Sequence, residues 1–326
     1  MNTPSVIVPG ENAIGLAKQV MRQMFEQTYI QGIATTLPTL NILEMETFSD
    51  DEFAPVISQT VRDKRVFILQ HVHGSGESFQ QLLFTIDAAK RCSSEKVVVI
   101  LPYYPFSRQD KTMNKRTSLG AKVVAKQLEA VGADAVVCFE LHATQIQGFF
   151  DIPVDMISGL VIFKDFLDNF FQGRKLSGFT FVSPDEGGTK RTKKFKDAYP
   201  GTKFAMIDKS REVANQVASM ELIGDVTGQD CILVDDLVDT AGTLVKAAAL
   251  LLEKGAKSVR ALITHPVLSG KAYENISNSD LVELIVSDSI PLKQENSRIQ
   301  VVSIAPALAK VMLRLTNSQS ISEINK

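Results

Sequence analysis

CILVDDLVDTAGTLVKAAALLLEKGA, residues 231–256, decides how the chain is read. Four apolar residues, Cys231 to Val234, run straight into two adjacent carboxylates, Asp235 and Asp236. Asp239 follows, then Thr240-Ala241-Gly242-Thr243 and an Ala/Leu-rich segment of helical length. A buried strand that ends in a loop and turns into a helix is the unit of a parallel α/β sheet. The helix start offers free backbone N–H groups and two hydroxyls, which suit a phosphate, and Gly242 lets the backbone come close. Carboxylates would repel that phosphate, so Asp235, Asp236 and Asp239 need another task. They could accept hydrogen bonds from sugar hydroxyls, or hold a divalent cation directly or through its waters. The bland alternative is a capped helix beside exposed acids. An acidic rim around a phosphate cradle is what a sugar phosphate with metal requires.

The same strand–helix alternation runs along nearly the whole chain. Short apolar runs such as RVFILQ (65–70), KVVVILPYYPF (96–106), DAVVCFELH (134–142), GFTFVSPD (178–185), KFAMID (203–208) and VRALITH (259–265) are separated by helical segments. That pattern predicts parallel sheets covered by helices. TSLGAKVVAKQLEAVGADAVV (117–137) also lines up with TAGTLVKAAALLLEKGAKSVR (240–260), each reaching Gly-Ala at the same spacing. Duplication is one reading, and the ordinary Gly ending of βαβ helices is the other. The expectation is two similar α/β domains, residues 1–154 and 155–326. Ligands of open α/β sheets bind beyond the carboxyl ends of the strands. Polar residues cluster there: Arg108, Gln109 and Asp110, then His142, Asp185, Lys209 and Arg211, and the acids after CILV.

The composition, 44% hydrophobic and 22% charged with a net charge of -2, is that of an ordinary globular protein. It argues against a general nucleic-acid or membrane binder. Cys92, Cys138 and Cys231 are scattered and odd in number, which suits buried thiols in a reducing compartment. No signal-peptide pattern opens the sequence and no apolar run approaches the roughly 18 residues of a membrane span. A cytoplasmic protein is expected.

The motifs resemble those of the ribose-phosphate pyrophosphokinases, the phosphoribosyl pyrophosphate synthetases. VDDLVDTAGT is similar to the ribose-phosphate loop that this family shares with phosphoribosyltransferases. FSDDE (48–52), PYYPFSRQDK (102–111), ELHATQIQGFFDIPVD (140–155), VSPDEGGTKR (182–191) and IDKSRE (207–212) match in order. The resemblance implies two tandem phosphoribosyltransferase-type (type I) domains, each a mainly parallel sheet flanked by helices. It also implies transfer of the terminal diphosphate of ATP to the C1 hydroxyl of ribose 5-phosphate, with magnesium, releasing AMP. By the motif match, Phe48, Asp50, Asp51 and Glu52 contact adenine across a subunit boundary, and Arg108 and Gln109 hold ATP. His142 and Asp185 bind magnesium. Asp235, Asp236 and Asp239 serve the ribose, with Arg211, and Thr240, Ala241, Gly242 and Thr243 cradle its phosphate. Lys209 and Arg211 act as catalytic cations on a mobile lid, for which SREVANQVASMELIGDVTGQD is suitably small and polar. The two substrates bring about six negative charges together, so cations must offset them. A homo-oligomer, a hexamer built from dimers, is implied as well.

Three departures stand out. Glu140 occupies a position where the family carries Asp, Ser118 and Leu119 replace a Pro-Ile pair, and Ser210 stands where a second Arg is usual. They motivate one alternative, a non-catalytic regulatory homologue that assembles with active synthetases. A phosphoribosyltransferase is the other alternative, but FSDDE and SRQDK would be idle in it.

Overall fold

The computed structural model describes residues 3–31, 37–73, 76–112, 116–210 and 219–325. The chain divides into two compact units, Met1–Val161 with Ile304–Lys326, and Ile162–Ser303.

The first unit runs β1 (Ser5–Pro9), α1 (Ile14–Gln31), β2 (Thr39–Leu40), β3 (Leu43–Thr47), β4 (Phe53–Ile57), β5 (Arg65–Leu69), α2 (Glu77–Arg91), β6 (Lys96–Leu101), α3 (Gly120–Ala130), β7 (Ala135–Phe139), β8 (Val154–Ile157) and the start of α4 (Gly159–Phe171). Six strands form one parallel sheet in the order β2-β1-β5-β6-β7-β8. Its central strands are buried at almost every position, as the unbroken apolar runs SVIVP, VVVIL and AVVCF require of a sheet covered on both faces. β3 and β4 form a separate antiparallel hairpin. Phe53 and Phe84, with ring centroids 5.4 Å apart, hold the tip end of this hairpin against α2.

The second unit contains the rest of α4, then β9 (Phe179–Ser183), α5 (Thr189–Ala198), β10 (Lys203–Ser210), β11 (Ser219–Ile223), β12 (Asp230–Val238), α6 (Gly242–Glu253), β13 (Ser258–Pro266), α7 (Ala272–Ser277), β14 (Glu283–Ser287) and β15 (Ile299–Val302). The sheet order is β11-β10-β9-β12-β13-β14-β15, parallel except for β11, which runs antiparallel to β10. Leu233, Ala247, Ala248, Leu251, Ala261 and Leu284 are all fully buried in its core. An aromatic stack of Phe171, Phe179, Phe181 and Tyr199 fills the space beneath α4.

α8 (Ala305–Thr316) returns to the first unit. Pro306 sits in its first turn, as expected, because a helix start needs no N–H there. Ala305, Leu308, Ala309, Val311 and Met312 are buried, and the Gln27 side-chain amide donates to the Pro306 carbonyl at 3.2 Å. The segment was expected in the second domain, and its buried stripe against α1 places it in the first. The expected boundary at 154 and 155 falls inside β8. Fraying of the last residues was also expected. Instead Asn325 ties them down, accepting from the Ser158 N–H at 2.9 Å and donating to the Met156 carbonyl at 2.8 Å.

The two aligned segments do correspond locally. Gly132 and Gly255, fifteen residues after Thr117 and Thr240, both have left-handed φ, 103° and 89°. Each ends its helix through the same bond, Ala133 N–H to Leu128 and Ala256 N–H to Leu251, both 3.0 Å. Cys138 and Cys231 are buried, and burial pushes each thiol up to about 12, so both stay neutral. Cys92, expected to be buried, is exposed at the end of α2.

Candidate functional site

In the second unit the strand order reverses between β9 and β12, since the chain leaves β9 for β10 and β11 before returning on its other side. A crevice opens at such a switch point beyond the strand ends. Asp185 follows β9, and Asp235 to Thr243 span the end of β12, the loop and the start of α6. Asp235 and Asp236, expected beyond the strand, lie within it, because β12 pairs with β13 as far as Val238.

The phosphate loop has a left-handed residue at its centre. Ala241 adopts φ 61°, ψ −2° as the residue before α6, and no side chain caps the first turn. A left-handed residue beside right-handed ones turns successive N–H groups inward, which makes a concave anion nest at the positive end of the helix. Ala241 accepts that conformation with its methyl buried in the core. The loop is held from β13 and α7: Asn275 Nδ2 donates to the Thr240 carbonyl at 2.8 Å, and the Ser269 N–H donates to the Asp239 carbonyl at 3.1 Å. The Ser269 hydroxyl donates to Asp239 Oδ1.

Asp235 and Asp236 share one cation. Arg191, in the first turn of α5, reaches Asp235 Oδ1 through Nη1 at 2.9 Å and Asp236 Oδ1 through Nη2 at 3.2 Å. The Asp235 side chain is 23% exposed and that of Asp236 only 5%, so Asp235 faces the crevice and Asp236 backs it. Burial, then the neighbouring Asp236, hold the Asp235 carboxyl well above its ordinary value of 3.8, while Arg191 opposes them. Asp185 Oδ1 accepts the Gly188 N–H at 3.0 Å and so orders the turn into α5.

The first unit carries the other candidates. Phe48 to Glu52 form the exposed tip of the β3–β4 hairpin, closed by Phe48 N–H to the Glu52 carbonyl at 2.8 Å and by Glu52 N–H to Asp50 Oδ1 at 3.2 Å. Asp51 is left-handed at φ 66°, and Phe48 keeps 52% of its surface open. Arg108 and Gln109 follow β6 and are exposed, and His142 follows β7 and is exposed. Gln109 lies over the backbone at the start of α3, where a Cβ on Gly120 would come within 2.4 Å of its Oε1. At φ 28°, Glu140 accepts the Gly159 N–H with its carboxylate and caps α4, a task its extra methylene allows.

Lys209 is the penultimate residue of β10, its backbone opposite Met220 of β11. Residues 211–218 of the expected lid, Arg211 among them, lie outside the described residues. Of the rest of the expected lid, Ser219–Ile223 is a strand and not a polar loop.

Among the described residues no three His, Cys, Asp or Glu side chains form a metal cage. Asp185, beyond β9, offers a carboxylate, the kind of oxygen ligand that magnesium takes beside its waters. Sequence reasoning assigned no role to Arg191, Ser269 or Asn275. Arg191 stood inside VSPDEGGTKR, and a base in the first turn of a helix was the available signal.

The folds of the two units define the class: a tandem α/β protein with a mainly parallel sheet in each unit. Residues 5–132 match the model of the N-terminal domain of ribose phosphate pyrophosphokinase, and residues 188–326 that of the phosphoribosyl synthetase-associated domain. The ribose-phosphate pyrophosphokinase of Wolinella succinogenes is 43% identical over 90% of this chain and 92% of its own. That of Campylobacter jejuni is 43% identical over 86% and 89%. The crystal structure of phosphoribosylpyrophosphate synthetase from Mycobacterium smegmatis superposes with a TM-score of 0.85 at 31% identity, covering 97% of this chain and 99% of that one. The chain belongs to the ribose-phosphate pyrophosphokinase family and is an enzyme of the transferase class.

Proposed function

We propose that the protein transfers diphosphate from ATP to the C1 hydroxyl of ribose 5-phosphate, giving phosphoribosyl pyrophosphate and AMP for nucleotide synthesis in the cytoplasm. The observation that carries this reading is the Ala241 nest at the head of α6, rimmed by Asp235 and Asp239 at the switch point of the second sheet. Amides and threonine hydroxyls of residues 240–243 would take the 5-phosphate. Asp235 and Asp239 would accept from ribose hydroxyls, with Asp236 behind them.

In the reaction the C1 oxygen bonds to the β-phosphorus as the bond from that phosphorus to the α,β-bridging oxygen breaks. AMP leaves with the electron pair, and the hydroxyl proton passes to solvent. Phosphoryl transfer of this kind is mostly positioning and charge neutralisation. Phe48, Asp50, Asp51 and Glu52 would meet adenine from a neighbouring subunit of a homo-oligomer, which suits an exposed hairpin tip. Arg108 and Gln109 would hold the nucleotide phosphates. Lys209 and Arg211 would sit against the transferring group and the leaving oxygen. Asp185 and His142 would be the protein's ligands for magnesium, which would supply charge screening at the diphosphate.

Phosphorus NMR of the protein with ATP, ribose 5-phosphate and magnesium should show AMP and phosphoribosyl pyrophosphate, and Lys209→Ala should abolish both. Absence of product from the wild type would favour the regulatory homologue. Binding of ribose 5-phosphate unaffected by Asp235→Asn and Asp239→Asn would remove the sugar assignment.

A further inference from the structure

We infer that Arg191 is a positioning residue of the sugar site, and this rests on the assignment of Asp235 to ribose just given. Arg191 is an unfavourable residue for its place in the fold. It lies in the first turn of α5, beside Lys190, at the positive end of a helix that has no acid in that turn. Its side chain is also only 11% exposed, so its charge is largely removed from water. Helix stability explains neither fact. The two carboxylates do. The planar fork of the guanidinium presents Nη1 to Asp235 and Nη2 to Asp236, a two-pronged grip that an ammonium group does not reproduce.

The grip has a directional consequence. Asp235 Oδ1 accepts from Arg191 Nη1 at 2.9 Å and from the Asp236 N–H at 2.9 Å. Two donors converging on one oxygen fix the carboxylate's plane before any sugar arrives. The cation also separates two acids that would otherwise repel in a buried place, and the trio keeps one net negative charge for hydroxyl donors. A preset carboxylate binds without losing rotamer freedom, so the benefit falls on ribose 5-phosphate affinity. ATP, held by residues of the other unit in the proposed arrangement, is not served by this contact.

The test combines steady-state kinetics with calorimetric binding of ribose 5-phosphate to the full chain, without ATP or metal. Arg191→Gln should weaken ribose 5-phosphate binding, and raise its KM, by about tenfold to about a hundredfold, the range expected for loss of a charge-assisted pair. The ATP KM should change less than about twofold by the same argument. Arg191→Lys keeps the charge without the fork and should fall between wild type and Arg191→Gln. If Arg191→Gln fails to fold, Arg191→Lys reads the same two constants. Unchanged ribose 5-phosphate affinity in a folded variant would overturn the inference, as would parallel loss for both substrates. Wild-type protein that binds no ribose 5-phosphate would instead overturn the sugar assignment itself.

Discussion

Replacing Ser269 by Ala should weaken the sugar site while leaving the nucleotide site and the fold nearly intact. Ser269 makes two bonds to Asp239, one from its N–H to the carbonyl at 3.1 Å and one from its hydroxyl to Oδ1. Alanine keeps the first and deletes the second. A hydrogen bond to a charged group contributes about 1.5–3 kcal/mol, and water reaching the half-exposed carboxylate would return part of that. A net loss of about 1–2 kcal/mol remains, which is roughly fivefold to thirtyfold in ribose 5-phosphate affinity. The backbone bond from Ser269 and the Asn275 bond to Thr240 keep the loop in place, so the melting temperature should fall by only about 2–4 °C for each kcal/mol lost in a unit of this size. Initial rates with ribose 5-phosphate varied at saturating ATP, and the reverse, separate the effects. An unchanged ribose 5-phosphate KM, or an equal rise in both KM values, would refute the reasoning that Asp239 is oriented by Ser269.

Further expectations follow from other contacts. Gly120→Ala places a Cβ 2.4 Å from Gln109 Oε1, and since a flexible side chain can move aside the cost should appear as about fivefold in ATP KM with ribose 5-phosphate KM and thermal stability preserved. Glu140→Ala removes the cap on α4 and should cost about 1–3 kcal/mol of stability, measured by denaturant titration. The magnesium dependence of the rate should stay as in wild type, and a shifted magnesium midpoint would return Glu140 to the metal. For pH, Asp235 is raised in the folded state, so the folded protein holds more protons than the unfolded one just above the ordinary value of 3.8. Its contribution to stability therefore falls as pH rises through that window. Sugar affinity moves the other way, lost as pH falls and the carboxylate is protonated. Asp235→Asn should flatten both profiles, and parallel profiles in the wild type would contradict the sign.

Much of this was legible from residue order. Short unbroken runs rich in β-branched residues suit strands buried on both faces, so the parallel sheets showed in VVVIL and CILV. The phosphate loop showed because Gly-Thr beside three acids is a rare juxtaposition at a strand end. What did not show depended on contacts distant in sequence. Arg191 and Asp235 are 44 residues apart, and with Lys190 in the same first turn, TKRTKK does not say which base turns inward. Ser269 likewise meets Asp239 only because β12 and β13 are neighbours in the sheet. α8 reads as an amphipathic helix, but an apolar stripe does not say which core it will cover. β1 and β14 were not singled out, although SVIVP and ELIVS have the same apolar character as the strands that were.

Soaking crystals of the protein with ribose 5-phosphate tests the account most directly. The pentose should lie with its hydroxyls on Asp235 and Asp239 and its phosphate against the amides of residues 241–243, with Arg191 still bridging Asp235 and Asp236. A sugar phosphate bound anywhere else, with this loop empty at saturating concentration, would contradict it.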